Sequence, residues 1–218
     1  GYARFFEAVP EAPVHEVYSA ASLEVARAAA RLRREEDLLV VGLDLAGQEK
    51  GYPAQGHRRA YQVAHEAFLG KTVHAGEDYG PESIFQAIGD LHADRIGHGT
   101  WLFDEKKITS RWIKDRKGYI EDLAEFIADK RVTIEVCLTS NQQTVPELAD
   151  DLHRHPFAEM RRRRLGVRYD VRRVVGAAVR GIGGRFGATA TVSDRPLVRT
   201  HFSLDTINSD RHGTRLTY

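Results

Sequence analysis

Lys71-Thr72-Val73-His74-Ala75-Gly76-Glu77 and Arg95-Ile96-Gly97-His98-Gly99 are two short apolar runs, each closing on a histidine beside glycine. Runs of this kind between helix-patterned segments read as strands. In parallel α/β proteins the carboxyl ends of strands face the ligand crevice or barrel mouth. Groups carried on neighbouring strand ends, here His74, His98 and Glu77, are therefore placed to converge on one substrate. Gly76, Gly97 and Gly99 would let backbone and ligand approach closely.

The same alternation continues on both sides. Residues 22–36 read as a helix capped by Ser22, with Glu24 in its first turn. Leu38 to Leu45 is a continuous apolar run ending in Ala46-Gly47, the pattern of a strand buried on both faces. Ala60, Ala64, Ala67 and Phe68 fall at helical spacing over residues 57–69, with Gly70 as the stop. After the strand at 71–75, Pro81 and Glu82 open a helix whose inner face is Ile84, Ala87, Ile88 and Leu91. A strand at 94–98 follows, then a helix marked by Ile120, Leu123, Ala124 and Ile127, a fourth strand at 131–138, and helices near 145–154 and 156–164. Strict alternation predicts a parallel sheet with outer helices. A (β/α) barrel and an open doubly wound sheet both fit it, and only four strands are readable where eight close the usual barrel. No repeat, linker or domain boundary interrupts residues 1–160.

Composition narrows the classes. The 218 residues are 42% hydrophobic and 29% charged with a formal net charge of +1, enough for one substantial core and without a charge bias towards nucleic acid or membrane. No apolar run approaches the roughly 20 residues that span a bilayer, and Gly1-Tyr2-Ala3-Arg4-Phe5-Phe6-Glu7 lacks the apolar core of a secretory signal. A single cysteine, Cys137, permits no internal disulfide and points to a reducing, cytoplasmic setting. Charge is uneven. From Arg161 to Tyr218 there are 13 Arg and 4 Asp with no Lys or Glu, formally +9, so the preceding residues carry −8 of the total +1.

Of the ten histidines, His57, His65, His92, His153 and His155 fall on or near helices and read as surface or packing residues. His74 and His98 stand at strand ends and are candidates for metal binding or proton transfer; the plainer alternative is a hydrogen-bonded histidine at a sheet edge. A partly desolvated Glu77 could have a raised pKa and serve as a general acid, or it could cap the next helix. Asp44 ends another strand, and the free backbone N–H of Gly47 could approach a ligand or simply belong to a tight turn.

Five segments in order resemble the adenosine deaminase family of metal-dependent hydrolases: Val41-Gly42-Leu43-Asp44-Leu45-Ala46-Gly47-Gln48-Glu49, Thr72-Val73-His74-Ala75-Gly76-Glu77, Gly80-Pro81-Glu82-Ser83-Ile84, Arg95-Ile96-Gly97-His98-Gly99 and Glu135-Val136-Cys137-Leu138-Thr139-Ser140-Asn141. His155-Pro156-Phe157 matches the family's next helix start, and the likeness covers roughly residues 38–160. The resemblance implies a TIM (β/α) barrel, here an incomplete one of about strands 4 to 8, holding one catalytic Zn2+ at its mouth. It implies His74 as a zinc ligand, Glu77 as the acid that protonates purine N1, His98 as the residue that orients or deprotonates water, Gly47 as a backbone donor to the purine, and Ser140 as support behind them. The implied reaction removes the 6-amino group of adenosine to give inosine and ammonia. Adenine or a modified purine is the alternative substrate, and a catalytically impaired partial barrel acting as a binding or assembly protein is the non-enzymatic alternative. The zinc deaminases that use His-x-Glu with Pro-Cys-x-x-Cys are excluded by the single cysteine.

Two elements depart from that family. Its first-strand His-x-His has no counterpart before residue 38, and His153-Arg154-His155 follows the fourth strand, where a helix or loop is expected. Its last-strand metal-binding aspartate is expected about 17 residues after His155, where Arg172 stands. Asp170, Asp194 and Asp210 are the substitutes, with Asp194, in Thr191-Val192-Ser193-Asp194, preferred. Residues 166–218 match the family poorly, yet the whole chain reads as one hydrolase domain. The expected partner is a small purine nucleoside, with neither membrane nor nucleic acid, and unclosed barrel edges would favour self-association.

Overall fold

The computed structural model describes residues 11–35, 39–149, 151–169 and 200–206, with backbone alone at 200–206. Six parallel strands form one sheet: β1 (Val40–Gly47), β2 (Gly70–Ala75), β3 (Arg95–His98), β4 (Thr133–Val136), β5 (Gly166–Tyr169) and β6 (Thr200–Thr206). Their order across the sheet is β5-β4-β3-β2-β1-β6. Helices α1 (Val14–Glu35), α2 (Arg58–Glu66), α3 (Pro81–Gly89), α4 (Arg116–Asp129), α5 (Leu138–Thr144) and α6 (Phe157–Arg162) precede or connect the strands. Consecutive strands from β1 to β5 lie side by side, each joined to the next through helix, so the chain builds an arc of an α/β barrel.

Register decides what meets at the sheet's carboxyl edge. Leu45 pairs with Val73, His74 with Gly97, Ala75 with His98, and Gly97 with Glu135. The two histidines thus end adjacent strands at nearly the same height. One face of the sheet carries the apolar core: Leu43, Val73, Ile96 and Ile134 are all buried, as are Ile84, Ala87 and Leu91 from α3 and its exit and Ile120, Leu123, Ala124 and Ile127 from α4. Tyr61 of α2 is fully buried and its hydroxyl donates to Thr72 O at 2.6 Å, tying that helix to β2.

Several expectations need correction. Helix α1 begins eight residues before Ser22, just after Pro13; Ser22 is buried mid-helix with Oγ donating to Ser19 O. The alanines at 21, 26, 29 and 30 form its buried face, a small-residue stripe that carries little periodic contrast. Phe68 is 86% exposed and in the left-handed region at φ 56°, so the chain turns there and Gly70 opens β2 instead of stopping a helix. The helix expected at 145–154 is two 3-10 turns, Pro146–Leu148 and Leu152–Arg154. Pro146 forces Val145 into extended backbone (φ −111°, ψ 102°), which ends α5 and prevents a continuous helix. A fifth strand, β5, and a sixth, β6, add to the four expected, the latter within the arginine-rich segment. Asp170, Asp194 and Asp210 lie outside the described residues.

Candidate active site

His74 and His98 face each other across the β2–β3 ladder. Both are buried, and their rings meet edge to face with centroids 4.8 Å apart. Glu77, in the loop after β2, brings Oε2 to 3.4 Å from His98 Nε2. One potential ligand atom from each of His74, Glu77 and His98 lies within 4.8 Å of the others. Two imidazole nitrogens and one carboxylate are a donor set that suits zinc. They are also a donor set for proton transfer at neutral pH. The three residues singled out at the strand ends are thus brought together.

Close approach depends on Gly97. A Cβ at that position would lie 2.6 Å from His74 Cδ2, well inside any tolerable contact, so the ring of His74 rests on the bare backbone of β3. His98 adopts φ 72°, unfavourable for a residue with a side chain. Its neighbours hold it there. Nδ1 is 3.3 Å from Asn141 Oδ1, and Asn141, wholly buried in the middle of α5, donates through Nδ2 to Thr100 Oγ1. With Asn141 Oδ1 as acceptor, Nδ1 carries the proton and Nε2 is turned towards Glu77.

Gly47, at the end of β1 with φ 110°, lines a small cavity together with Tyr52, His57 and His74. Gly47 and His74 therefore share one space. Ser140 contributes through its backbone. Thr144 Oγ1 stands 3.0 Å from Ser140 O and 3.1 Å from Glu77 Oε1, linking α5 to the glutamate.

Two histidines read as surface or packing residues are buried beside this site. His57, 4% exposed, is pushed down to about 4 by burial. His155 is also lowered to about 4, first by burial and then by the nearby His98, and its Nδ1 accepts from Phe157 N. His153 is exposed, so the His153–His155 pair does not present two ligands to one ion. His65 and His92 are exposed and stack on each other 4.6 Å apart, away from the strand ends. Glu49, the last residue of the first motif segment, is 6% exposed and accepts hydrogen bonds from the loop carrying Glu77. Glu49 and Asn141 each close a motif segment, but their partners lie more than 25 positions away, so no local pattern shows what they hold.

A sequence model of the adenosine deaminase family matches residues 14–174. The chain belongs to the adenosine deaminase family. Adenosine deaminase 1 of Streptomyces coelicolor is 39% identical over 145 residues, which is 66% of this chain and 34% of that protein. Adenosine deaminase of Yersinia pseudotuberculosis is 44% identical over 119 residues, 55% of this chain and 30% of that protein. This adenosine deaminase family member therefore spans about a third of the length of the curated relatives it matches. Among solved structures, the adenine deaminase of Arthrobacter aurescens is 29% identical with a TM-score of 0.53, covering 70% of this chain and 40% of that one. An amidohydrolase from Burkholderia ambifaria, solved with bound zinc, shares the fold at 21% identity and a TM-score of 0.54, over 68% of this chain and 36% of that one. Those likenesses agree with the arc of an α/β barrel. Among the described residues no helix is long and apolar enough to cross a membrane.

Proposed function

We propose that the chain carries the acid–base half of a zinc-dependent purine deaminase centre, which replaces the 6-amino group of adenosine with oxygen to give inosine and ammonia. The observation that carries this reading is the convergence of His74, Glu77 and His98 at adjacent strand ends in a member of the adenosine deaminase family. His74 would hold the zinc, and Asp194 is the residue proposed to complete its ligands from outside the described residues. When bound, zinc supplies Lewis acidity that brings the pKa of a water from 15.7 to about 7.

The chain's own groups then have distinct tasks. Gly47 N–H is the proposed donor to the purine ring, a role supported by the place of Gly47 beside His74 at the strand ends. Glu77 delivers a proton to N1, which weakens the aromatic resistance to attack at C6. His98, with Nδ1 held by Asn141, offers Nε2 to the attacking water and takes its proton. The water oxygen adds to C6 to give a tetrahedral carbon, the amino group takes the proton held by His98, the C6 hydroxyl returns its proton to Glu77 as C6=O forms, and the C6–N bond breaks to release ammonia. Ser140 and Thr144 steady the glutamate through the contacts of α5.

Turnover is tested by adding adenosine to the zinc-loaded chain and following the change in ultraviolet absorbance that accompanies inosine formation. Glu77→Gln is expected to abolish turnover with zinc content unchanged; equal rates in mutant and parent refute the acid role. Adenine is the second substrate to try, supported by the likeness to the Arthrobacter adenine deaminase. Zinc retained with neither purine consumed would overturn the deaminase reading, and failure to retain zinc would favour the binding or assembly role.

A further inference from the structure

The loop that presents Glu77 is organised around a single buried side chain on a different strand end. Glu49, two residues past β1, is 6% exposed. Its Oε1 accepts from Gly76 N at 2.9 Å and from Ser83 Oγ at 2.8 Å. Its Oε2 accepts from Glu77 N at 2.9 Å, Asp78 N at 2.6 Å and Tyr79 N at 3.1 Å. Four consecutive backbone N–H groups and one hydroxyl thus close on one carboxylate, whose two oxygens offer about four lone-pair sites. Successive N–H groups arranged in this way form an anion-binding concavity, and here the protein supplies the anion from its own chain.

The arrangement does more than satisfy donors. Residues 76–79 leave β2 through Gly76 at φ 73°, and α3 opens at Pro81. The Glu49 carboxylate fastens the whole intervening turn to the end of β1, so the direction in which the chain leaves His74 is set from a neighbouring strand. Trp101 closes the other side, donating from Nε1 to Glu77 O at 2.6 Å. The backbone of Glu77 is held by its N–H on Glu49 and its C=O on Trp101, which leaves only its side-chain torsions to choose. Those are limited in turn by Thr144 Oγ1 and by His98 Nε2.

We propose that Glu49 is the positioning residue for Glu77: its carboxylate, by gathering the N–H groups of residues 76–79, fixes the acid against His98. This rests on the reading of Glu77 as the proton donor, but the positioning itself is judged separately. The geometry requires an acceptor at both oxygens. A glutamine at 49 keeps one oxygen for the three N–H groups now on Oε2 and turns an NH2 group towards Gly76 N–H, donor against donor, while the Ser83 hydroxyl loses its carboxylate acceptor and is left with Gly80 O at 3.1 Å. An aspartate is one carbon short and cannot reach all five partners at once.

The test uses the full chain and compares parent, Glu49→Gln and Glu77→Gln. Glu49→Gln is expected to speed amide hydrogen exchange at residues 76–79 by roughly 10- to 100-fold, the span for losing hydrogen bonds to a charged acceptor. Amides of Val73 and Ile96 in β2 and β3 should keep their protection. The indole N–H resonance of Trp101, separable from that of Trp112 by Trp112→Phe, should shift in Glu49→Gln and stay in place in Glu77→Gln, where the backbone carbonyl is intact. Glu49→Gln should also lower kcat with KM nearly unchanged, and Glu49→Asp should restore only part of the loss. Unaltered exchange and indole resonance in Glu49→Gln, or exchange accelerated equally in the core, overturns the proposal. So does a loosened loop with kcat unaffected. Should Glu49→Gln not fold, Glu49→Asp replaces it, with faster exchange expected across residues 76–79 and none at Val73; unchanged exchange at Glu77, Asp78 and Tyr79, whose N–H groups all rest on Oε2, is then the overturning result. If Glu77→Gln turns over as fast as the parent, the acid reading fails while exchange and the Trp101 resonance still decide whether Glu49 fixes the loop.

Discussion

Replacing Gly97 by alanine should damage the site through a single methyl group. The Cβ would stand 2.6 Å from His74 Cδ2, 3.2 Å from Nε2 and 3.3 Å from Cγ, and the first of these contacts cannot persist. His74 has little room to yield, because it is buried and His98 stands edge-on 4.8 Å away. The ring must leave its rotamer, costing about 1 kcal/mol, or the strands must part, and overpacking of this kind costs about 1–3 kcal/mol. The unfolding free energy should therefore fall by about 2 kcal/mol in urea titration. If His74 is a zinc ligand, the displaced ring should also cost about 10- to 100-fold in zinc affinity, the scale of losing a ligand's orienting contacts. Gly42→Ala provides the control. There the added Cβ meets Gly70 O at 2.8 Å, a backbone clash about 13 Å along the sheet from His74. It should destabilise comparably and leave zinc affinity alone. Zinc binding by Gly97→Ala equal to the parent's would refute the placement of His74 as ligand, and equal losses in both variants would show that only global stability was being read.

His57 and His155 make stability fall in mild acid. Burial keeps both neutral in the fold down to about 4, whereas the unfolded chain takes up their protons near 6.5. A depressed folded pKa means stability is complete above 6.5 and is lost as pH drops from there towards 4, by at most about 3 kcal/mol per histidine at 1.36 kcal/mol per unit. His57→Gln should flatten that slope in urea midpoints measured across the window; the same slope in both proteins would exclude His57 as its source. Asn141→Ala should cost about 1–3 kcal/mol by leaving Thr100 and His98 without their buried partner, and should reduce adenosine turnover. A melting temperature and kcat equal to the parent's would count against the network. His74→Ala should lose zinc by metal analysis after mild chelation, and zinc retained at parental stoichiometry would show the ligand has been misplaced.

What was legible in the sequence was what periodicity and chain order encode. Leu43, Val73, Ile96 and Ile134 lie in runs buried on both faces, so their strands were recognisable, and the histidines closing two of those runs were recognisable with them. Parallel pairing then brings His74 and His98 together without further information, because strands of similar length between helices end at one edge. The elements misread are those where a local signal is weak or misleading. The alanine face of α1 hid its start, Phe68 mimicked an inward helical position, and Pro146 broke a stretch whose polar composition resembled a helix surface. β6 pairs with β1 from across the chain, a long-range contact that no window of sequence contains. Glu49 is the sharpest case. Its importance lies in five donors contributed by residues 27 to 34 positions downstream, and a glutamate after a strand has many ordinary explanations. A motif therefore names the groups proposed to do the chemistry, but the groups that aim them are found only where the backbone returns to the same place. In this chain that place is the gap between the ends of β1 and β2, where one buried carboxylate determines how the neighbouring loop can present another.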